Sequence, residues 1–283
     1  RLPKSLGILG GGNIGLEFAG LFNKLGSKVT VLDAADTFLP RVEPSIAAMA
    51  KQYMEEDGIE ILQNVFTQEV KNDGDEVIVV TKNKSFHFDA LLYATGRKPN
   101  IEPLKLENTD IQITDRGAIQ VDKHCQTSVS GVFAVGDVNG GLQFTYVSLD
   151  DFRIIFPQIL EGAKGRKLSD RVLIPTSTFI DPPYSRVGIN EKEAQRLGIA
   201  YTKKFALTNT IPKAHVINET DGFTKILINE NNEIIGASIC HYESHEMINL
   251  LSLAINQKIK ANVLKDFIYT HPIFTESLND ILG

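Results

Sequence analysis

The chain of 283 residues contains no tryptophan, three methionines and two cysteines. Cys125 and Cys240 lie far apart, outside any CxxC or CxxxxC spacing. That excludes a disulfide framework and a zinc site, and predicts a reduced, cytoplasmic chain that binds no metal. Long apolar runs are also missing, since none approaches the ~20 residues a membrane-spanning helix needs. Neither sign of charge dominates: 29 basic residues stand against 35 acidic ones, for a net charge of −6. Such a balance gives no general attraction for nucleic acid or anionic lipid, so neither a nucleic-acid nor a membrane partner is predicted. Internal repeats and low-complexity tracts are absent. A hydrophobic fraction of 42 % with 23 % charged residues excludes a disordered or fibrous chain. At ~100–150 residues per domain, two or three compact units are predicted. Arg1-Leu2-Pro3-Lys4 runs straight into a strand-length apolar stretch, with neither an initiator Met nor a leader pattern, which predicts an internal start.

The first 100 residues or so alternate strand and helix signals. Ser5–Leu9 is a short apolar run followed by Gly10-Gly11-Gly12-Asn13-Ile14-Gly15. Ile14, Phe18, Leu21, Phe22 and Leu25 then recur at helical spacing, and Gly26 marks a stop. Lys28–Leu32 reads as a second buried strand, and Pro44 to Asp57 as a helix with Pro44 in its first turn. Glu60–Leu62, Thr67–Lys71, Glu76–Thr81 and Ala90–Thr95 read as strands, with Asp73-Gly74 as a turn. This alternation predicts an α/β fold with a mostly parallel sheet and helices on both faces. Residues 98–130 read as connection, Gly131–Val135 as a buried strand ended by Gly136-Asp137, and Asp150 to Leu160 as a helix with Phe152, Ile155, Phe156 and Ile159 on one side. Pro175, Pro182 and Pro183 introduce a strand-rich unit. In it, Asn190 with Glu193 resembles a helix-capping pair, Gly198 a helix stop, and Asn231-Asn232 the turn of a hairpin. The helix near His245–Gln257 is apolar around most of its circumference, which predicts either an interior helix or a subunit interface.

The glycine pattern Gly10-x-Gly12-x-x-Gly15 follows a strand, opens an amphipathic helix and precedes Asp33 at the end of the next strand. That context is the one a dinucleotide site requires. Gly10 allows the tight turn, Gly12 lets the backbone approach a pyrophosphate, and Gly15 lets helix and strand pack closely. The helix N-terminus offers free N–H groups and a positive dipole end to the phosphates. Asp33 can accept both hydroxyls of the adenosine ribose and repels a 2′-phosphate, which favours NAD(H). Arg41 keeps NADP(H) open, and a ligand-free strand–helix turn is the plainer alternative. Glu17, two residues after Gly15, reads on its own as an acidic residue favoured by the helix dipole.

Four segments resemble the FAD-dependent pyridine nucleotide–disulfide oxidoreductases: Gly10–Glu17, Ala94–Asn100, Thr127–Val138 and His271–Glu276, in the family's order. Around Val31–Arg41, Gln143–Asp151 and Thr270–Asn279 the chain most resembles a branch related to mercuric reductases, which includes hypothiocyanite reductases. The resemblance implies a Rossmann-like NAD-binding domain over residues 1–98, the returning part of an FAD-binding domain over 99–170, and an α+β dimerisation domain over 171–283. It places Glu17 beside the nicotinamide and flavin, and Val65 at the adenine or ribose. Gly96, with its neighbour Arg97, falls at the cofactor site. Asp137 falls on a ribityl hydroxyl of FAD, which suits a carboxylate as a pure acceptor. Gln143–Tyr146, including Thr145, runs along the flavin. Many relatives have His at the position of Tyr146 and an aromatic lid at that of Asn13; these departures leave the flavin contact and the gating of nicotinamide open. His271 and Glu276 form the proton-shuttling pair delivered to the partner subunit's active site. A carboxylate beside an imidazole fixes its tautomer and suits it to carry protons. His87, His124, His215, His241 and His245 read as structural or solvated. The family's first glycine-rich loop and its CxxxxC pair do not occur in these 283 residues. The resemblance therefore implies the later part of a longer homodimeric enzyme, passing electrons from NADH through FAD to a cysteine pair and on to a small oxidised substrate. A catalytically silent NAD-binding and dimerisation fragment, and a dihydrolipoamide dehydrogenase-type enzyme, are the alternatives.

Overall fold

The computed structural model describes every residue except Arg41, Ala163 and Lys164. Arg41, whose guanidinium kept NADP(H) open, thus lies outside the described residues. Contacts divide the chain into two compact units, Arg1–Thr95 with Leu173–Gly283, and Gly96–Val172. The first and last of the three expected parts therefore share one unit.

In the first unit, β1 (Ser5–Leu9) leads through the glycine turn into α1 (Asn13–Lys24), followed by β2 (Lys28–Leu32), α2 (Pro44–Glu56) and β3 (Glu60–Leu62). An antiparallel meander follows, β4 (Thr67–Asp73), β5 (Glu76–Thr81) and β6 (Ser85–Phe88), before β7 (Ala90–Tyr93) returns beside β1. The parallel sheet runs in the order β3-β2-β1-β7. Its near-continuous apolar strands bury both faces, as parallel sheets do. Leu6, Ile8, Val29 and Val31 pack with Leu16 and Ala19 of α1 and with Ile46, Ala47, Ala50 and Met54 of α2. The opposite face differs from expectation. Leu9 and Leu32 pack there against Val79 of β5 and Phe88 of β6, so a small antiparallel sheet covers it in place of helices. The physical reason is the Asp73-Gly74 turn, where Gly74 at φ +61° closes a hairpin and commits the flanking strands to a sheet of their own.

The Gly96–Val172 unit has a small core of Leu106, Ile119 and Ala134 and one long helix, α3 (Thr145–Glu161). Gly131–Val135 is not a strand. Phe133 makes one isolated bridge to Gln126, and Gly131 at φ +78° keeps the preceding segment in a turn. The helix starts five residues earlier than its apolar periodicity indicated. Phe152 and Phe156 lie side by side on its surface, half-exposed, with ring centroids 5.0 Å apart and planes tilted by 47°.

The chain then adds to the first unit β8 (Thr176–Thr178), β9 (Tyr184–Gly188), α4 (Glu191–Leu197), β10 (Tyr201–Leu207), α5 (Pro212–Ile217), β11 (Phe223–Asn229), β12 (Ile234–Cys240), α6 (Ser244–Asn256), α7 (Ala261–Lys265) and α8 (Leu278–Ile281). The strands form one antiparallel sheet in the order β10-β11-β12-β9-β8. Asn190 and Glu193 cap α4 reciprocally at 2.8 and 2.9 Å, and Gly198 ends it in the left-handed conformation. Helix α6 buries Met247, Ile248, Leu251 and Ala254 among Val187, Ile226 and Ile239 and leaves Leu253 exposed, so its inner face is core. Ile180, Tyr184, Phe223 and Cys240 join the core beneath α1 and α2, and the two sheets share it. Both thiols are buried; burial pushes Cys125 up to about 11 and Cys240 to about 12, so both stay protonated.

One charged cluster is sealed into the shared region. The Lys225 ammonium of β11, 4 % exposed, contacts Glu43 at the start of α2 and lies 3.1 Å from Glu191 of α4; Glu43 also accepts the Glu191 N–H at 2.6 Å. Removing one partner of a buried ion pair strands the other charge. Lys225→Met is expected to lower stability by about 3–5 kcal/mol in urea unfolding, and adding Glu43→Gln to recover part of the loss. Wild-type stability of the single variant contradicts the arrangement.

Candidate functional site

The nucleotide end is built from backbone that comes too close for side chains. Gly10 adopts φ +102°, donates to the Leu32 carbonyl at 2.9 Å, and would place a Cβ 2.5 Å from the Ala94 oxygen. A Cβ on Gly15 would collide with the Gly10 carbonyl oxygen. Gly12 is different: it caps α1 without a side-chain hydrogen bond, and among the described residues a Cβ there would meet nothing within 4 Å. The N–H groups of the first turn of α1 thus open onto unfilled space, which fits a pyrophosphate. Asp33 ends β2 at the same rim, half-buried, with its N–H bonded to Leu62 at 2.8 Å and its Oδ1 3.3 Å from the Ala35 N–H. Val65 donates its N–H to the Asp33 carbonyl at 2.9 Å, so these two predicted residues meet. Gly11 belongs here too, although sequence reasoning passed over it. A Cβ on it would sit 2.5 Å from the Asp33 carboxylate. The available signal was the third consecutive glycine.

Glu17 lies just beyond the first turn of α1, and its Oε1 accepts the Phe179 N–H at 3.0 Å. Its carboxylate therefore holds the segment after β8 against α1, which a dipole role alone does not require.

Within the other unit, Gly96 takes φ +133° with open space where a Cβ would stand. Arg97 reaches Asp137 Oδ2 at 3.4 Å and the Gln143 carbonyl at 3.3 Å. Asp137 sits on the Gly136–Asn139 turn with its carboxylate half-exposed. Below it, Asp151 of α3, 1 % exposed, accepts the Gly136 N–H at 2.7 Å and the Asn139 amide at 2.9 Å, and pairs with Arg171. The neighbouring Asp150 takes Arg171 Nε at 2.7 Å and also pairs with Arg166. Burial opposes its charge, but the two guanidiniums win and hold its carboxyl below the usual range. Asp151 and Arg171 were missed in the sequence; the signal was an adjacent carboxylate pair inside an apolar helix. Thr145 is exposed as the first residue of α3, whose N-terminus has no side-chain cap. An exposed acceptor beside an uncapped helix start fits a cofactor carrying both hydroxyls and phosphate.

His271 and Glu276 meet as predicted. Nδ1 of His271 lies 2.9 and 3.1 Å from the two Glu276 oxygens, and the Ile273 N–H donates to Glu276 at 3.1 Å. Partial burial works against the Glu276 charge, yet these hydrogen bonds outweigh it and lower the carboxyl below its ordinary value. The imidazole is 71 % exposed. Among the described residues no cluster of His, Cys, Asp or Glu could hold a metal, and no helix is long and apolar enough to cross a membrane.

Two family signatures cover the chain: that of the pyridine nucleotide-disulphide oxidoreductases matches residues 1–151, and that of their dimerisation domain matches residues 174–281. The chain belongs to this family. The probable pyridine nucleotide-disulfide oxidoreductase RclA of Escherichia coli K12 is 42 % identical over 284 residues, covering 100 % of this chain and 64 % of that protein. A dihydrolipoyl dehydrogenase of Geobacillus stearothermophilus is 34 % identical, covering 98 % of this chain and 59 % of the relative. The structure of the HOCl-induced flavoprotein disulfide reductase RclA superposes with a TM-score of 0.95 at 41 % identity, over 100 % of this chain and 65 % of the other. The chain thus spans less than two thirds of these relatives. Membership in the pyridine nucleotide-disulphide oxidoreductases implies FAD and NAD(P)H as cofactors.

The glycines differ in what a side chain would meet. Gly15→Ala is expected to destabilise the chain, because its methyl group meets rigid backbone. Gly12→Ala is expected to leave the melting temperature unchanged and to weaken NADH binding in a fluorescence titration. Equal melting losses in both variants rule this division out.

Proposed function

We propose that the chain forms the NAD-binding, flavin-contacting and dimerisation parts of a cytoplasmic, homodimeric NADH-dependent disulfide reductase, of which it is one portion. FAD, when bound, supplies the redox chemistry between NADH and a cysteine pair that reduces a small oxidised substrate. The observation that carries this reading is the paired geometry of one chain: an open phosphate cradle at Gly12 and an exposed imidazole on Glu276. Gly10, Gly11 and Gly15 shape the cradle, and Asp33 accepts the adenosine-ribose hydroxyls. Asp33 also repels a 2′-phosphate, which favours NADH over NADPH. Glu17 orders the nicotinamide end through Phe179, and Val65 lines the adenosine end. Gly96 gives backbone access for the nucleotide. Asp137, steadied by Arg97 and Asp151, accepts a ribityl hydroxyl, while Thr145 opens a helix N-terminus along the flavin. His271, its tautomer fixed by Glu276, exchanges a proton with the dithiol of the partner subunit.

In an affinity titration NADH is expected to bind more tightly than NADPH, and Asp33→Ala to narrow the difference; preference for NADPH by the unaltered protein overturns the assignment.

Losing His271 in the complete enzyme is expected to slow thiol–disulfide exchange by about 10²–10⁴-fold, the range for a positioned acid–base group, and to leave NADH oxidation by the flavin nearly intact. Mixing His271→Ala subunits with subunits lacking the redox cysteines then regenerates one intact site per mixed dimer. No recovery of activity despite confirmed subunit exchange removes the shared-site reading.

A further inference from the structure

The His271–Glu276 pair is mounted on a short turn, and the side chain beneath that turn is another histidine. His241 follows β12 and is fully buried. Its ring lies flat on Phe274, with centroids 4.7 Å apart and planes 24° from parallel. Phe274 is itself fully buried, and its carbonyl accepts both the N–H and the hydroxyl of Ser277, at 3.1 and 2.7 Å. The residue before it, Ile273, gives the N–H that holds Glu276. The stack therefore bears on the one residue that sits between the donor to Glu276 and the helical turn Thr275–Ser277. The rear of His241 is fixed as well, its N–H bonded to the Pro183 carbonyl at 3.2 Å and its own carbonyl accepting the Ser244 N–H at 2.9 Å at the start of α6.

Among the described residues, neither ring nitrogen of His241 has a hydrogen-bond partner, and nor does the buried Nδ1 of His245. Burial pushes His241 down to about 3, so the ring is neutral and meets Phe274 as an uncharged flat face. A fully buried imidazole with both nitrogens unpartnered is unfavourable as a polar group. Its shape remains the feature that the neighbouring residues use.

We propose that His241 is a positioning residue for the His271–Glu276 pair, its planar face holding Phe274 so that the following turn aims the Glu276 carboxylate at His271 Nδ1. This rests on the proposed acid–base role of the pair for its functional meaning, but the geometry can be tested without catalysis. His241 is fully buried and acts through the Phe274 ring it stacks on. Planarity is the operative property, so phenylalanine replaces it and leucine does not.

The test follows the Glu276 side-chain carboxyl by carbon-detected NMR through an acid titration of the 283-residue chain. In the unaltered chain the carboxyl is expected to titrate below the ordinary glutamate range, because His271 and the Ile273 N–H hydrogen-bond to it. His241→Phe is expected to keep it low and, by removing two unpartnered nitrogens, to raise the melting temperature. His241→Leu, which fills much of the volume without a flat face, is expected to let the carboxyl climb back to the ordinary range while the chain stays folded. A Glu276 carboxyl that stays low in the leucine variant, or rises in the phenylalanine variant, overturns the proposal. Thiol exchange in the complete enzyme separates the two levels of inference: a low Glu276 that depends on position 241, with His271→Ala fully active, removes the acid–base reading and leaves the positioning intact.

Discussion

A missing methyl group governs the nucleotide end of the protein. Helix α1 lies on β1 only because Gly15 has no side chain to strike the Gly10 carbonyl. That contact brings Leu16 and Ala19 into the core with Ile8 and Val31. It also fixes the line of α1, which decides that Glu17 reaches the Phe179 backbone. Because Ile180 and Tyr184 enter the same core, the antiparallel sheet is seated against the parallel one by the same set of side chains. The open rim at Gly12 and the anchored segment at Phe179 are two ends of one packing solution.

The candidate site groups Asp137, Asp33 and Glu276 share a pattern. Each is held in place by neighbouring residues of the fold. Asp137 stands on a turn tied down by Asp151, whose charge is met by Arg171. The Asp33 carboxylate lies against Gly11, where any larger residue would displace it. Glu276 is held by the backbone beside Phe274. Such supports fix rotamers and turns before a ligand arrives, which cuts the ordering cost of binding.

Much of this was legible in the sequence, and the limits were physical. β1 and β2 match their predicted bounds because buried parallel strands are short, continuous and bounded by glycine or polar turns. The α4 cap was readable because Asn190 and Glu193 act across three residues. The Gly10–Gly15 motif was visible for the same reason, whereas the His271–Glu276 pair stood out only through the family resemblance. Gly131–Val135 misled because a brief apolar run looks alike in a strand and in a packed loop with one bridge. The Asp151–Arg171 pair and the Lys225–Glu43–Glu191 cluster join residues 20 to 182 positions apart, and nothing local marks them. His241 read only as structural or solvated; its full burial and its stack on Phe274, far along the chain, could come only from the fold.

The two cysteines fall one to each compact unit, Cys125 in Gly96–Val172 and Cys240 in the other. Each is sealed and held as the neutral thiol. Only the thiolate of an opened state reacts appreciably with an alkylating agent. Each sulfur is thus a clock for its own surroundings: the rate at which it becomes trapped measures how often the structure around it opens.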